Sequence, residues 1–134
     1  MCFTATLCFG LTVLTAGQSL AETAMTAAEF EAYATGKTLT YSVGGQVFGT
    51  EQYLPDRHVV WALKGDDCTN GTWYEDAGLI CFVYPSEGTP QCWTFYLDAA
   101  GLRAKFAGDG IGSKLSVVKQ NPAPMACMGP DVGV

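Results

Sequence analysis

The sequence predicts a mainly β protein: one short helix followed by an antiparallel meander of about seven or eight short strands, curled into a small barrel or tight sandwich. Three observations carry that expectation. From Thr38 onward, apolar residues alternate with polar ones at period two. Turn-forming residues recur at nearly even spacing between these runs. Glycine is abundant, with 16 residues, and aromatics make up 12% of the chain, a composition that suits closed sheets of short strands.

The helix has the strongest local signal. Thr26-Ala27-Ala28-Glu29 is a capping box, in which the Thr26 hydroxyl accepts from the Glu29 amide and the Glu29 carboxylate reaches back. Met25 and Phe30 occupy the positions of a hydrophobic staple, and Gly36 suits the left-handed residue that ends a helix. The expected helix is Ala27 to Thr35, with Phe30 and Tyr33 on its core face. So short a helix is marginal alone and must pack on the sheet.

The strands follow in order. Leu39, Tyr41 and Val43 alternate in the first; Gly44-Gly45 makes a tight turn into the second, Gln46 to Tyr53. Pro55-Asp56 interrupts before His58 to Leu63, where Val59, Trp61 and Leu63 share a face. Lys64 to Gly71 reads as a loop, since Asn70-Gly71 favours a turn. Thr72 to Glu75, Leu79 to Tyr84, Cys92 to Asp98, Leu102 to Phe106 and Lys114 to Lys119 complete the set. From Asn121 a proline-rich tail is expected to be flexible.

Residues 1–21 carry no charge, hold an apolar core over Cys2 to Leu14, and end in Ser19-Leu20-Ala21, a small-x-small cleavage pattern. They are expected to be a signal peptide, atypical in lacking a Lys or Arg ahead of the apolar run. The rival reading, a retained anchor, is weaker because a span needs roughly 20 apolar residues. Residues 22–134 then form a single domain with one modest core. The chain's net charge of −6 argues against nucleic acid and anionic membrane surfaces, which need clustered cations. Arg103, Lys105, Lys114 and Lys119 do gather late in the chain, but as solvated strand faces.

Of six cysteines, Cys2 and Cys8 lie in the leader, and Cys68, Cys81, Cys92 and Cys127 lie in the body. An even set in a small exported domain implies two disulfides and a periplasmic or secreted setting. Four cysteines permit three connectivities, which sequence alone does not distinguish. Cys81 and Cys92 flank what reads as a hairpin, which favours pairing them and leaves Cys68 for Cys127. A zinc or redox site is disfavoured because no Cys-x-x-Cys spacing occurs. No metal or other cofactor is expected.

Signals for chemistry are weak. His58, the sole histidine, could act as a general base, yet no nucleophile stands in a recognisable elbow. Asp66, Asp67, Glu75 and Asp76 form an acidic stretch of calcium-site composition, but Cys68 falls where an oxygen ligand belongs. Asn70-Gly71-Thr72 matches a glycosylation acceptor, irrelevant in a bacterial host. The aromatics Trp61, Trp73, Phe82, Tyr84, Trp93 and Phe95 concentrate in the central strands, with Tyr74 and Tyr96 beside them. They are the candidate ligand-binding residues if the barrel keeps a cavity, and plain core if it does not.

Thr26-Ala27-Ala28-Glu29-Phe30, Gly36-Lys37-Thr38, Tyr53, Trp61, Gly71-Thr72-Trp73, Leu79-Ile80-Cys81 and Cys92-Trp93 occur in that order. Over Thr26 to Phe106 the chain resembles a family of exported proteobacterial proteins of unknown function with a lipocalin-like fold. The resemblance implies a bacterial, periplasmic protein and a small lipocalin-like β-barrel, and it carries no catalytic residues. The leading functional expectation is a non-enzymatic binding module for a small apolar or amphipathic ligand. The alternative is an envelope protein–protein interaction module, an inhibitor or accessory subunit acting through a free sheet edge or the tail. A hydrolase-like enzyme using His58 with an acidic neighbour ranks last.

Overall fold

A computed structural model of the chain describes residues 22–108 and 113–127. The leader expectation falls on residues outside these. Helix α1 (Ala27–Ala34) precedes eight strands: β1 (Thr38–Val43), β2 (Gln46–Tyr53), β3 (His58–Leu63), β4 (Thr69–Asp76), β5 (Leu79–Val83), β6 (Gln91–Asp98), β7 (Gly101–Phe106) and β8 (Lys114–Asn121). A single 3-10 turn, Pro55–Arg57, lies between β2 and β3. Each strand pairs antiparallel with the next, and β8 returns to β1, so the sheet is a closed barrel. Closure gives every strand a paired neighbour on both sides. The interaction reading that relied on a free edge therefore has no edge strand to use.

Both caps of α1 are built from local sequence. Thr26 Oγ1 accepts from the Glu29 amide at 3.2 Å, and Glu29 accepts from the Thr26 amide at 2.8 Å. The helix stops at Ala34, and Gly36 takes the left-handed conformation, φ +83°. Gly36 N–H then donates to Tyr53 O at 2.9 Å, which ties the helix exit to β2. At the entry, Met25 N–H donates to Phe95 O at 2.8 Å. The helix thus lies across one end of the barrel, with Phe30 fully buried. The Phe30 ring meets Tyr53, Trp73 and Phe82 edge-on and lies 4.2 Å from Phe95, centroid to centroid. We call this the closed end.

Period-two alternation sends Leu39, Tyr41, Tyr53, Val59, Trp73, Ile80, Phe82, Phe95, Leu102 and Leu115 into one buried cluster. β1 and β2 slip register between Tyr41 and Ser42, opposite Gly49 and Val47, which leaves Phe48 as an extra residue in β2. A bulge of this kind redirects a side chain. Here it lets Phe48 join the barrel lining although Gly49 and Glu51 already face inward.

Two expectations are corrected. Asn70-Gly71 is no turn: β4 begins at Thr69, and Asn70 and Gly71 pair with Val60 and Val59. Glycine is needed at 71 for close approach, because a Cβ there would fall 2.6 Å from the Tyr84 ring. The tail is also held as far as Cys127. Thr38 Oγ1 donates to Ala123 O at 2.6 Å, Met125 N–H donates to Gln52 Oε1 at 3.0 Å, and Cys127 is bonded to Cys68. The tail forms a strap that runs from the end of β8 along the outside of β1–β3 to the β3–β4 loop. The second disulfide, Cys81–Cys92, joins directly opposed residues of β5 and β6. Both pairings match the favoured connectivity.

Candidate functional site

The far end of the barrel is built differently. Gly49, Glu51 and Tyr53 share the inward face of β2, so a carboxylate is carried into the interior. Glu51 is 4% exposed. Its two oxygens accept hydroxyl hydrogen bonds, from Tyr53 at 2.8 Å and from Tyr84 at 2.6 Å. Tyr41 and Tyr53 hydroxyls lie 2.7 Å apart. Since Tyr53 spends its one proton on Glu51, Tyr41 is the donor in that pair. The relay therefore runs from Tyr41 through Tyr53 to Glu51, with Tyr84 arriving from β5's end.

Burial raises the Glu51 pKa to about 7, against the pull of the Tyr84 and Tyr53 hydrogen bonds. Burial, with the Glu51 charge next, also pushes the Tyr41, Tyr53 and Tyr84 hydroxyls well above their usual range. All three stay protonated and act as donors. The ion pairs among the described residues, Arg57–Glu31, Arg103–Glu22 and Arg103–Asp98, all lie at the surface and none involves Glu51.

Beside this network is a chamber of about 40 Å³, lined by Tyr41, Glu51, Trp61, Tyr84, Trp93 and their neighbours. That is room for a few waters and far below the several hundred Å³ of a typical ligand site. The chamber opens outward. Phe48, Gln91 and Trp93 line both the chamber and a cleft of about 590 Å³ at the barrel mouth, completed by Phe106 and the Glu87–Pro90 loop. In that loop the Gln91 amide donates to the Glu87 carboxylate. Glycine again makes the geometry possible: a Cβ at Gly49 would fall 2.4 Å from the Trp61 ring. Gly49 and Gly71 are thus the gaps into which Trp61 and Tyr84 lean.

Of the sequence-derived candidates, Trp61, Phe82, Tyr84, Trp93 and Phe95 line the chamber. Trp73 does not. It sits at the closed end, against Phe30 and beneath the Arg57 guanidinium, whose centre is 4.5 Å from its ring. Tyr74 is exposed on the outer face, and Tyr96 lies beneath Arg103. His58 is exposed at the closed end, on the outer face of β3, and no described carboxylate or hydroxyl hydrogen-bonds it. The acidic stretch is divided: Asp66 and Asp67 lie before β4 and Glu75 and Asp76 at its far end, roughly 25 Å along the strand.

Sequence reasoning passed over Glu51, Tyr41, Tyr53 and Phe48 as site residues. The period-two pattern held a signal for Glu51, which shares a face with Tyr53. Phe48 had none, since its orientation depends on the bulge. Among the described residues, no helix is long and apolar enough to cross a membrane. The two disulfides in so small a domain fit an extracellular or periplasmic protein. Family models, curated proteins and solved structures give no match to this chain.

Proposed function

We propose that this protein is a non-enzymatic binding module of the bacterial periplasm or exterior, which holds a small amphipathic ligand at the barrel mouth. One observation carries the reading: a cleft of ligand size, walled by Phe48, Trp93 and Phe106, leads into a small aromatic chamber that ends on a buried carboxylate. A polar head fits the chamber and an apolar body fits the cleft. The aromatics that remain well packed at the closed end are core in this scheme, and Trp73 belongs with them.

The reading is tested by native mass spectrometry of the exported, disulfide-intact protein, followed by tryptophan-fluorescence titration. A co-purified small molecule that leaves on denaturation is the expected result. Re-addition of the extracted molecule should quench emission saturably. Trp93→Phe should weaken that response at least tenfold in affinity, while Trp73→Phe leaves it unchanged. Equal loss in both variants, or no saturable quench with extracts or amphiphiles, would remove the mouth as the binding site.

A further inference from the structure

We infer that the ligand head is an organic cation, a primary ammonium group on an apolar body, seated against Glu51 with the Trp61 and Trp93 rings as walls. This rests on the binding reading above and names its chemistry. Three independent features of the molecule converge on it.

The first is hydrogen-bond capacity. A carboxylate offers about four lone-pair sites, and the Tyr53 and Tyr84 hydroxyls occupy two of them. An ammonium group brings three N–H donors and no acceptor, which matches a carboxylate with acceptor capacity to spare. The second is charge. The acidic side chains lining the chamber and cleft are Glu51 and Glu87, and no Lys, Arg or His lines either among the described residues. The cations of β7 and β8, Arg103, Lys105 and Lys114, line a separate surface depression. A buried carboxylate without a basic partner is costly when ionised, and an incoming cation removes that cost. The third is the wall. Tyr41, Trp61, Tyr84 and Trp93 line the chamber together with the carboxylate, and an ammonium held against aromatic rings gains cation–π attraction of about 0.5–2 kcal/mol. A carboxylate or phosphate head would meet repulsion from Glu51, and a fully apolar head would leave it unpaired.

The test uses three probes with one apolar body: hexylammonium, hexan-1-ol and hexanoate, titrated into the disulfide-intact protein at pH 8 and followed by tryptophan emission and calorimetry. Hexylammonium should bind at least tenfold more tightly than hexanol, and hexanoate more weakly than either. Glu51→Gln should abolish the preference for hexylammonium while hexanol affinity stays within twofold. The preference within the native protein is decisive by itself, so the inference stays exposed even if the variant folds poorly. Equal affinity for hexylammonium and hexanol, or a preference for hexanoate, would overturn the cation while leaving a binding site in place. Absence of saturable binding by all three would overturn the cation and the mouth site together. A preference for hexylammonium that survives Glu51→Gln would move the cation to the lip, at Glu87, and refute the seat proposed.

Discussion

The two ends of this barrel are made from the same strands and the same residue types, yet one is filled and the other is not. At the closed end, Phe30 descends from α1 into a ring of Tyr53, Trp73, Phe82 and Phe95. At the mouth, no helix descends among the described residues. Tyrosine hydroxyls turn toward Glu51, and two glycines leave room that the Trp61 and Tyr84 rings occupy. Stability is concentrated where an extra element supplies the apolar plug. The polar, less filled end is where the proposed function places recognition, in keeping with the tendency of functional sites to depart from ideal packing.

The contrast can be broken most severely at its packed end. Phe30→Ala should cost about 3–5 kcal/mol, the range for deleting a buried aromatic ring, because four facing rings cannot collapse into the space. Urea unfolding measures this, and a cost under about 1 kcal/mol would show that the helix does not plug the barrel. Next is the strap that links the two ends. The double change Cys68→Ser with Cys127→Ser opens a loop spanning 59 residues of sequence separation, worth about 4 kcal/mol by loop-closure entropy. The double variant keeps the comparison free of a reactive thiol, and an unchanged melting temperature would mean that the strap contributes nothing.

At the mouth the sharpest probe is pH. The folded protein holds the Glu51 proton more tightly than the unfolded chain, whose ordinary value is near 4.5, because Glu51 is raised to about 7. The stabilisation is full below pH 4.5 and is lost as pH rises through 7, the reverse of an ordinary salt-bridged carboxylate. The span is worth up to roughly 3 kcal/mol. Glu29 and Asp98, both lowered by backbone hydrogen bonds, work in the opposite sense. The difference between the native protein and Glu51→Gln isolates the effect, and parallel stability–pH curves for the two would refute it. The smallest effect expected is Gly49→Ala. The added methyl meets Trp61 and the Ala62 carbonyl, so a loss of about 1–3 kcal/mol should accompany a shift in tryptophan emission. An unshifted spectrum would place Trp61 elsewhere.

Much of this was legible because it is local. The capping box at Thr26, the helix stop at Gly36, the alternation in β1 and β2 and the Cys81–Cys92 hairpin each depend on residues close in sequence. Errors arose where a residue answers to a distant neighbour. Asn70-Gly71 is a strong turn signal, overridden because β3 offers a pairing partner and Tyr84 needs the glycine gap. Trp73 was indistinguishable from Trp61 and Trp93 by composition, and only the descent of Phe30 makes it core. The proline-rich tail reads as loose until Cys68 and Gln52 capture it.

The sequence by itself determined the strand count to within one, the helix and the acidic net charge, and it favoured one thiol pairing, since period, capping and charge are properties of short stretches. Tertiary structure alone decided which end is open and that Glu51, Tyr41, Tyr53 and Tyr84 meet. The reason is geometric: barrel closure brings β8 against β1 and sets β5 across from β2, and no local pattern encodes which inward-facing side chains will share one layer of the interior.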